Sequence, residues 1–296
     1  MRRSHAYRAT ATKQFWRGVP KAVPVLVPSG GQPSSAPVED EIAALRREKR
    51  EFHEQLFEAA QVQRKLSGPR LLRLGNLQIA SETFAARYLS GDFIITWDHG
   101  SKVIVAIGDV AGKGLSAGMW FTHLVGLIHR QVALASDSAQ IVAEVNRHLC
   151  CLKPGAPVVT MFLAEIDSYS GEMVYCNAGH FPPLVLRDSG STKLLTEGGP
   201  LLGALHDARF EIGQEKLEPG DRLLAYSDGV VECRNSAGEE FGLQALVAHA
   251  RRAEQPTAPG TLLAFLACVQ DFANGVQLCD DLSVMVVQRD ATGQEN

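Results

Sequence analysis

Ile104-Val105-Ala106-Ile107-Gly108-Asp109-Val110-Ala111-Gly112-Lys113-Gly114 is an apolar run that stops at an aspartate set between small residues. The run predicts a buried strand. Gly108, Gly112 and Gly114 predict a sharp turn, and an apolar helix follows. A carboxylate at the end of a buried strand is held rigidly and only partly hydrated, which is unfavourable unless a cation or a donor meets it. A phosphate loop needs four residues between its glycine and Gly-Lys-Ser/Thr. Here three residues separate Gly108 from Gly112, Gly114 replaces the hydroxyl residue, and Asp109 would face the phosphates with negative charge. That motif is rejected. Asp109 is then either a helix-capping turn residue or a metal ligand whose partners lie elsewhere in the chain.

Outward from this stretch, short apolar runs alternate with turns. Residues 77–80, 83–89, 93–97 and 102–108 read as consecutive strands, with His99-Gly100 as the turn between the last two. Residues 115–135 and 138–149 read as helices, the second opened by Ser136 or Asp137 as cap. Strands 158–166 and 172–176 form an expected hairpin. Strands 184–187, 210–217 and 222–227, helices 241–252 and 261–274, and a final strand 282–288 complete the pattern. Most strands follow one another directly and the helices come in pairs. The pattern predicts an α+β sandwich of mainly antiparallel sheets with helices outside.

The N-terminal part differs in character. Residues 1–38 carry Arg2, Arg3, Arg8, Lys13, Arg17 and Lys21, no acidic residue and several prolines, and read as a basic, disordered tail. The whole chain of 296 residues has a net charge of -4, so the remainder is about ten charges negative. That balance argues against a nucleic-acid-binding core. Residues 39–70 predict an amphipathic or coiled-coil helix closed by Gly68-Pro69. A heptad frame puts Ile42, Lys49, Leu56 and Gln63 at a, and Leu45, Phe52, Ala59 and Leu66 at d. The frame predicts a homodimer through residues 39–66, with Lys49 and Gln63 weakening the seam and fixing its register. The alternative is a helix lying on its own domain. A larger domain spans 71–290, and 291–296 is a tail. Six cysteines without Cys-x-x-Cys spacing point to a reducing, cytoplasmic setting rather than a zinc or disulfide framework. No apolar run is long enough to span a membrane.

Three more places repeat an aspartate at a strand edge: Asp92 in Ser90-Gly91-Asp92-Phe93, Asp228 before Gly229, and Asp280-Asp281 before the last strand. Each alone is a common turn. Together they form an all-oxygen set, suited to a hard cation, Mg2+ or Mn2+, rather than to zinc.

Several segments, in one order along residues 77–288, resemble the type 2C metal-dependent Ser/Thr protein phosphatases, in the bacterial SpoIIE/RsbU-like branch. They are Gly91-Asp92-Phe93, Ile107 to Gly114, Asn177-Ala178-Gly179-His180-Phe181-Pro182-Pro183, Gly198 to Gly203, Tyr226 to Glu232, Phe241-Gly242 and Asp280-Asp281-Leu282-Ser283. The resemblance implies an α-β-β-α sandwich of two mainly antiparallel sheets and a centre of two Mn2+ or Mg2+ ions. It implies that Asp109 bridges both ions and the Val110 carbonyl completes one. Asp228 and Asp280 would bind the other, and Asp92 would hold water. Asp281, where relatives often have Asn, would support these ligands. Lys113 and His180 are the candidates for substrate contact, with a structural hydrogen bond as the competing role for His180. The implied reaction is hydrolysis of phosphoserine or phosphothreonine by a water shared between the ions, on an anti-sigma-factor antagonist in a bacterial partner-switching pathway, under an upstream regulator. One departure stands out: Ile94-Ile95 replaces the family's Tyr-Asp. The loss of that carboxylate supports an alternative, a weakly active or inactive regulatory binding module. A phosphodiesterase or nuclease is disfavoured by the acidic core and the motif order.

Overall fold

The computed structural model describes residues 35–134, 137–152, 154–253 and 255–291. In chain order the elements are helix α1 (Ser35–Leu66), strands β1 (Leu71–Leu74), β2 (Leu77–Phe84), β3 (Phe93–His99) and β4 (Lys102–Val110), and helices α2 (Leu115–Val132) and α3 (Ser138–Cys151). Strands β5 (Val159–Asp167), β6 (Glu172–Ala178), β7 (Leu184–Leu186), β8 (Thr192–Leu194), β9 (Gly198–Gly199), β10 (Gly213–Lys216) and β11 (Arg222–Tyr226) follow. Helices α4 (Asp228–Val231), α5 (Gly242–Arg252) and α6 (Ala258–Ala273) and strand β12 (Leu282–Arg289) close the chain. Most of the expected basic tail lies outside the described residues. The chain divides into two units at Arg50/Glu51, within α1.

In the second unit the strands form two six-stranded sheets. The first runs β1-β2-β12-β11-β7-β8, and the second β10-β6-β5-β4-β3, with β9 added beside β6. Every pairing is antiparallel except β6 with β9. Turn chemistry explains the hairpins. Asp98 Oδ1 accepts from the Gly100 N–H, where φ is 74°. Asp167 Oδ1 accepts from the N–H groups of Tyr169 and Ser170, ahead of Gly171. Short polar side chains that bond their own backbone stabilise such turns.

Three apolar clusters define the layers. Val105, Ile107, Phe162, Tyr175, Leu223 and Met285 fill the space between the sheets. Phe93, Ile95, Phe121, Leu124, Ile128, Val145 and Leu149 join the second sheet to α2 and α3. Tyr226, Val284, Leu246, Phe265 and Val269 join the first sheet to α5 and α6. Strand β4 is covered on both sides, which is why its sequence is an unbroken apolar run rather than an alternating one. The α-β-β-α sandwich expected from the motifs is therefore the observed architecture.

The differences from the sequence reading are local. Helix α1 starts at Ser35, four residues early. The expected strands at 77–80 and 83–89 are one strand ending at Phe84, because the N–H groups of Ala86, Ser90 and Gly91 bond the side chains of Asp281 and Gln63 instead of a neighbouring strand. Strands β1, β8 and β9 and helix α4 had no counterpart in the periodicity. They are four, three, two and four residues long, too short for a period to show. Ala135 and Ser136 lie outside the described residues. The cap of α3 is Asp137, which accepts from Gln140 N at 2.8 Å.

At one edge, charge adds to the apolar packing between the sheets. Arg187, the residue after β7, donates to Glu215 of β10 at 2.6 Å and to Asp221 at 2.7 Å, and Lys193 pairs with Glu215 at 2.7 Å. Burial pushes Glu215 up, but Lys193, the Lys216 N–H and Arg187 outweigh it and hold its carboxyl at about 2. A carboxyl depressed below its unfolded value of 4.5 adds stability above that value and loses it as pH falls toward 2. Glu215→Gln is therefore expected to lower unfolding free energy at pH 7 by about 2 kcal/mol, with the gap closing between pH 4.5 and 2. Urea denaturation at pH 7 and pH 3 tests this. A gap that does not shrink would remove Glu215 as its source.

Candidate metal centre

The aspartates lie where adjacent strands of each sheet end together. In the second sheet β3 pairs with β4; Asp92 immediately precedes β3, and Asp109 is the penultimate residue of β4. In the first sheet β11 pairs with β12; Asp228 follows β11 as the first residue of α4, and Asp280-Asp281 precede β12. Chain reversal at these ends brings together residues up to 189 positions apart. Asp109 lies within electrostatic reach of Asp228, Asp280 and Asp281, and Asp92 within reach of Asp109 and Asp281.

Burial and mutual repulsion set the electrostatics. Asp92 is 2% exposed. Burial carries its carboxyl well above the ordinary range, Ser227 and Ser283 oppose this, and Asp109 and Asp281 add to it. Its Oδ2 finds no hydrogen-bond partner among the described residues. Asp109 is raised to about 6, first by burial, then by Asp228, Asp280 and Asp281. Asp228 is raised by burial and by Asp280. Carboxyls raised together in this way favour a shared proton or a cation.

Glycine leaves room at two critical points. A Cβ on Gly91 would lie 3.1 Å from both Asp109 Oδ1 and the Val110 carbonyl oxygen, so these two oxygens face one small gap. A Cβ on Gly229 would lie 2.0 Å from the Asp281 carbonyl oxygen, so only glycine lets α4 approach β12 this closely. Buried orphan oxygen, paired oxygens at a gap and all-oxygen chemistry fit a hard divalent cation. The carboxylates are grouped but splayed: among the described residues, no three His, Cys, Asp or Glu close on a single point. Lys113, half exposed, donates to Asp280 Oδ2 at 2.6 Å and draws that carboxylate to itself.

Asp281 has a different task. Its Oδ1 accepts from Ala86 N at 2.8 Å, and its Oδ2 from Gly91 N at 2.7 Å and Ser90 Oγ at 3.0 Å. These three bonds hold the loop that delivers Asp92. His180 is not at the surface, where substrate contact would need it. It is 6% exposed, and burial lowers its imidazole to about 4. Its Nδ1 lies 3.0 Å from Thr160 Oγ1, which in turn accepts from Asp109 N at 3.2 Å. The Gly-His-Phe-Pro-Pro segment thus braces Asp109 from behind.

Sequence reading missed Thr160, which comes opposite Asp109 only through the β4–β5 register. It also assigned Gln63 to a dimer seam, and the structure corrects this. Gln63 is buried, its Nε2 donating to the carbonyls of Ser90 (3.1 Å) and Gly118 (3.4 Å), its Oε1 accepting from Ser90 N at 3.3 Å. The end of α1 therefore clamps the Asp92 loop to α2. Arg87, exposed beside Lys113 and felt by it electrostatically, is a further basic group at the rim that no motif pointed to.

A family model described as Stage II sporulation protein E (SpoIIE) matches residues 99–290. Phosphoserine phosphatase RsbU of Bacillus subtilis (strain 168) is 27% identical over 248 residues, covering 83% of this chain and 73% of that one. The SiaA-PP2C domain of Pseudomonas aeruginosa superposes with a TM-score of 0.71 at 17% identity, covering 82% of this chain and 98% of that one. The catalytic domain of the serine threonine protein phosphatase PstP, solved in complex with 2 manganese ions, gives a TM-score of 0.50 at 15% identity, covering 72% and 98%. Of two further curated relatives the chain spans only 35% and 40% of the length. The chain belongs to the SpoIIE family, within the RsbU-like branch of the type 2C protein phosphatase (PPM) superfamily, a class of hydrolases.

Proposed function

We propose that the chain is a protein phosphatase that hydrolyses phosphoserine or phosphothreonine and depends on two Mn2+ or Mg2+ ions in the aspartate cluster. The observation that carries this reading is the set of raised, mutually repelling carboxyls of Asp92, Asp109 and Asp228. Asp109, with the Val110 carbonyl, and Asp228 and Asp280 would hold the ions, and Asp92 would orient water. Ions of this kind supply a water that is nucleophilic at neutral pH and neutralise charge on the phosphoryl oxygens. The chain's own share is positional. Thr160 and His180 hold the Asp109 backbone, Asp281 and Gln63 hold the Asp92 loop, and Lys113 can turn from Asp280 to a substrate phosphate.

Phosphate release from a phosphoserine protein is expected to require added Mn2+ or Mg2+ and to stop with EDTA. Full activity in metal-free buffer would sink the mechanism. The substrate class that fits best is a small phosphorylated anti-sigma-factor antagonist of a partner-switching pathway, in the cytoplasm. The likeness to RsbU, named a phosphoserine phosphatase, supports it. Among the described residues no helix is long and apolar enough to cross a membrane. The rival reading, an inactive binding module, rested on Ile94-Ile95. Both are core residues here, 4% and 0% exposed, which supports a packing role for them.

We also propose that α1 makes the protein a dimer and carries a partner's signal to the site. Ile42, Leu45 and Phe52 are exposed, at 42%, 58% and 54%, and the heptad frame assigns them to one seam. Gln63 links the same helix to the Asp92 loop and to α2. Light scattering is expected to give a dimer for the full chain and a monomer for a truncation starting at Glu51, which keeps Gln63. A full chain that is monomeric at tens of micromolar, with a truncated form of equal rate, would leave α1 as packing alone.

A further inference from the structure

Far from the aspartates along α2, two imidazoles meet across a helix pair. His123 of α2 and His148 of α3 face each other with Nε2 atoms 3.1 Å apart. We propose that they form a second metal site, for a borderline divalent transition ion of the Zn2+ type, pinning α2 to α3.

The spacing is the first argument. Two imidazole nitrogens at about 2.0–2.1 Å from a tetrahedral Zn2+ stand about 3.3 Å apart. The two Nε2 atoms need open by only a few tenths of an ångström to admit the ion between them. Two protonated rings could not face each other this closely, so at least one is neutral and has a lone pair to offer.

Rigidity is the second argument. Phe121, Leu124, Val125 and Ile128 of α2, with Ile141, Val142, Val145 and Leu149 of α3, are buried in one cluster. That packing sets the distance between the helices. Trp120 packs edge-on to the His123 ring, with centroids 5.5 Å apart at 86°, and holds its plane. The arrangement is therefore built in advance of any ligand, which reduces the ordering cost of binding.

Chemistry separates this site from the aspartate centre. Imidazole nitrogen selects Zn2+, Cu2+ or Ni2+, whereas carboxylate oxygen selects Mg2+ or Mn2+. His123 is exposed, so water can complete the coordination. Cys151 is exposed one helical turn beyond His148, but no third His, Cys, Asp or Glu closes on the pair among the described residues. The site is thus a two-ligand clamp. It ties down the helix whose first turn follows Gly112-Lys113-Gly114, so ion binding is expected to stiffen the catalytic turn.

The test uses the full chain with millimolar Mg2+ present to occupy the oxygen site. Zn2+ is titrated against a chromophoric chelator. One Zn2+ per chain is expected to compete. His123→Gln and His148→Gln should each weaken it by more than the ~10–100-fold typical of losing only a ligand's hydrogen-bond partner. His249→Gln, a control on α5 in the other helical layer, should leave the affinity unchanged. As a second readout, Cu2+ bound to the wild-type chain should show electron-spin coupling to two nitrogens, lost in both variants. Equal Zn2+ affinity in wild type and both His variants, or a Cu2+ signal without two-nitrogen coupling, would overturn the proposal. So would loss of the ion in Cys151→Ser with retention in both His variants. None of these readouts uses catalytic activity, so the site stands or falls apart from the proposed phosphatase reaction.

Discussion

Asp109→Asn is expected to reduce phosphate release below detection, while Asp281→Asn retains measurable turnover at saturating metal. Asp109 is the carboxylate most surrounded by others, raised to about 6 by burial and then by Asp228, Asp280 and Asp281. On the proposed reading it is shared by both ions, so replacing it with a neutral amide removes the group that binds each. Asp281 instead accepts from Ala86 N, Ser90 Oγ and Gly91 N. An amide can keep the bonds on one oxygen only, and its NH2 then faces a backbone N–H. The cost is a loosened Asp92 loop: about 1–3 kcal/mol of stability and a rate lower by about 10–100-fold. Initial rates over a Mn2+ titration, with urea midpoints for both variants, separate the two effects. Equal rates for the two mutants at saturating metal would refute the division of roles.

Ile95→Asp is expected to unfold the protein rather than repair its motif. The motif comparison made Ile95 a missing carboxylate whose loss would weaken a metal site or alter substrate contacts. In the fold, side chains alternate along β3. Phe93 and Ile95 point beneath α2, into the cluster with Ala106, Phe121 and Leu124. Ile94 points between the sheets, into the cluster with Ile107, which has the same parity as Asp109. A carboxylate at 95 is thus buried on the far side of the sheet, with no cation beside it. Truncating a buried Ile costs about 2–5 kcal/mol, and an uncompensated buried charge adds several more. That total approaches the whole stability of a typical domain, about 5–15 kcal/mol. The measurement is soluble yield and urea midpoint against Ile95→Val, which should lose only about 1 kcal/mol. A folded Ile95→Asp with a wild-type midpoint would show that residue 95 does not lie in this core.

Much of the fold was legible in the chain because its elements are long and strongly patterned. The apolar run 104–107 is a strand buried on both faces, and the turn glycines after it open α2. The order of motifs predicted both sheets and the layers around them. The aspartates were legible as strand-end carboxylates, and their oxygen donors are what suggested a hard cation. What failed was of two kinds. Elements of two to four residues, such as β9 and α4, carry no period to read. And α1 had two faces to assign: heptad spacing put Gln63 in a partner seam, whereas its amide is satisfied by Ser90 and Gly118 of its own unit.

By itself, then, the sequence determined the layer architecture, the family and the residue types gathered at the strand ends, because burial pattern and turn chemistry are local and act through neighbours in the chain. Only the tertiary structure decided which side of a sheet Ile95 faces, that Thr160 and His180 brace Asp109, that Lys113 neutralises Asp280, and that His123 meets His148. Each of those depends on strand register or helix packing between residues far apart in the chain, and a single residue's shift in strand register would move Ile95 or Thr160 to the opposite face.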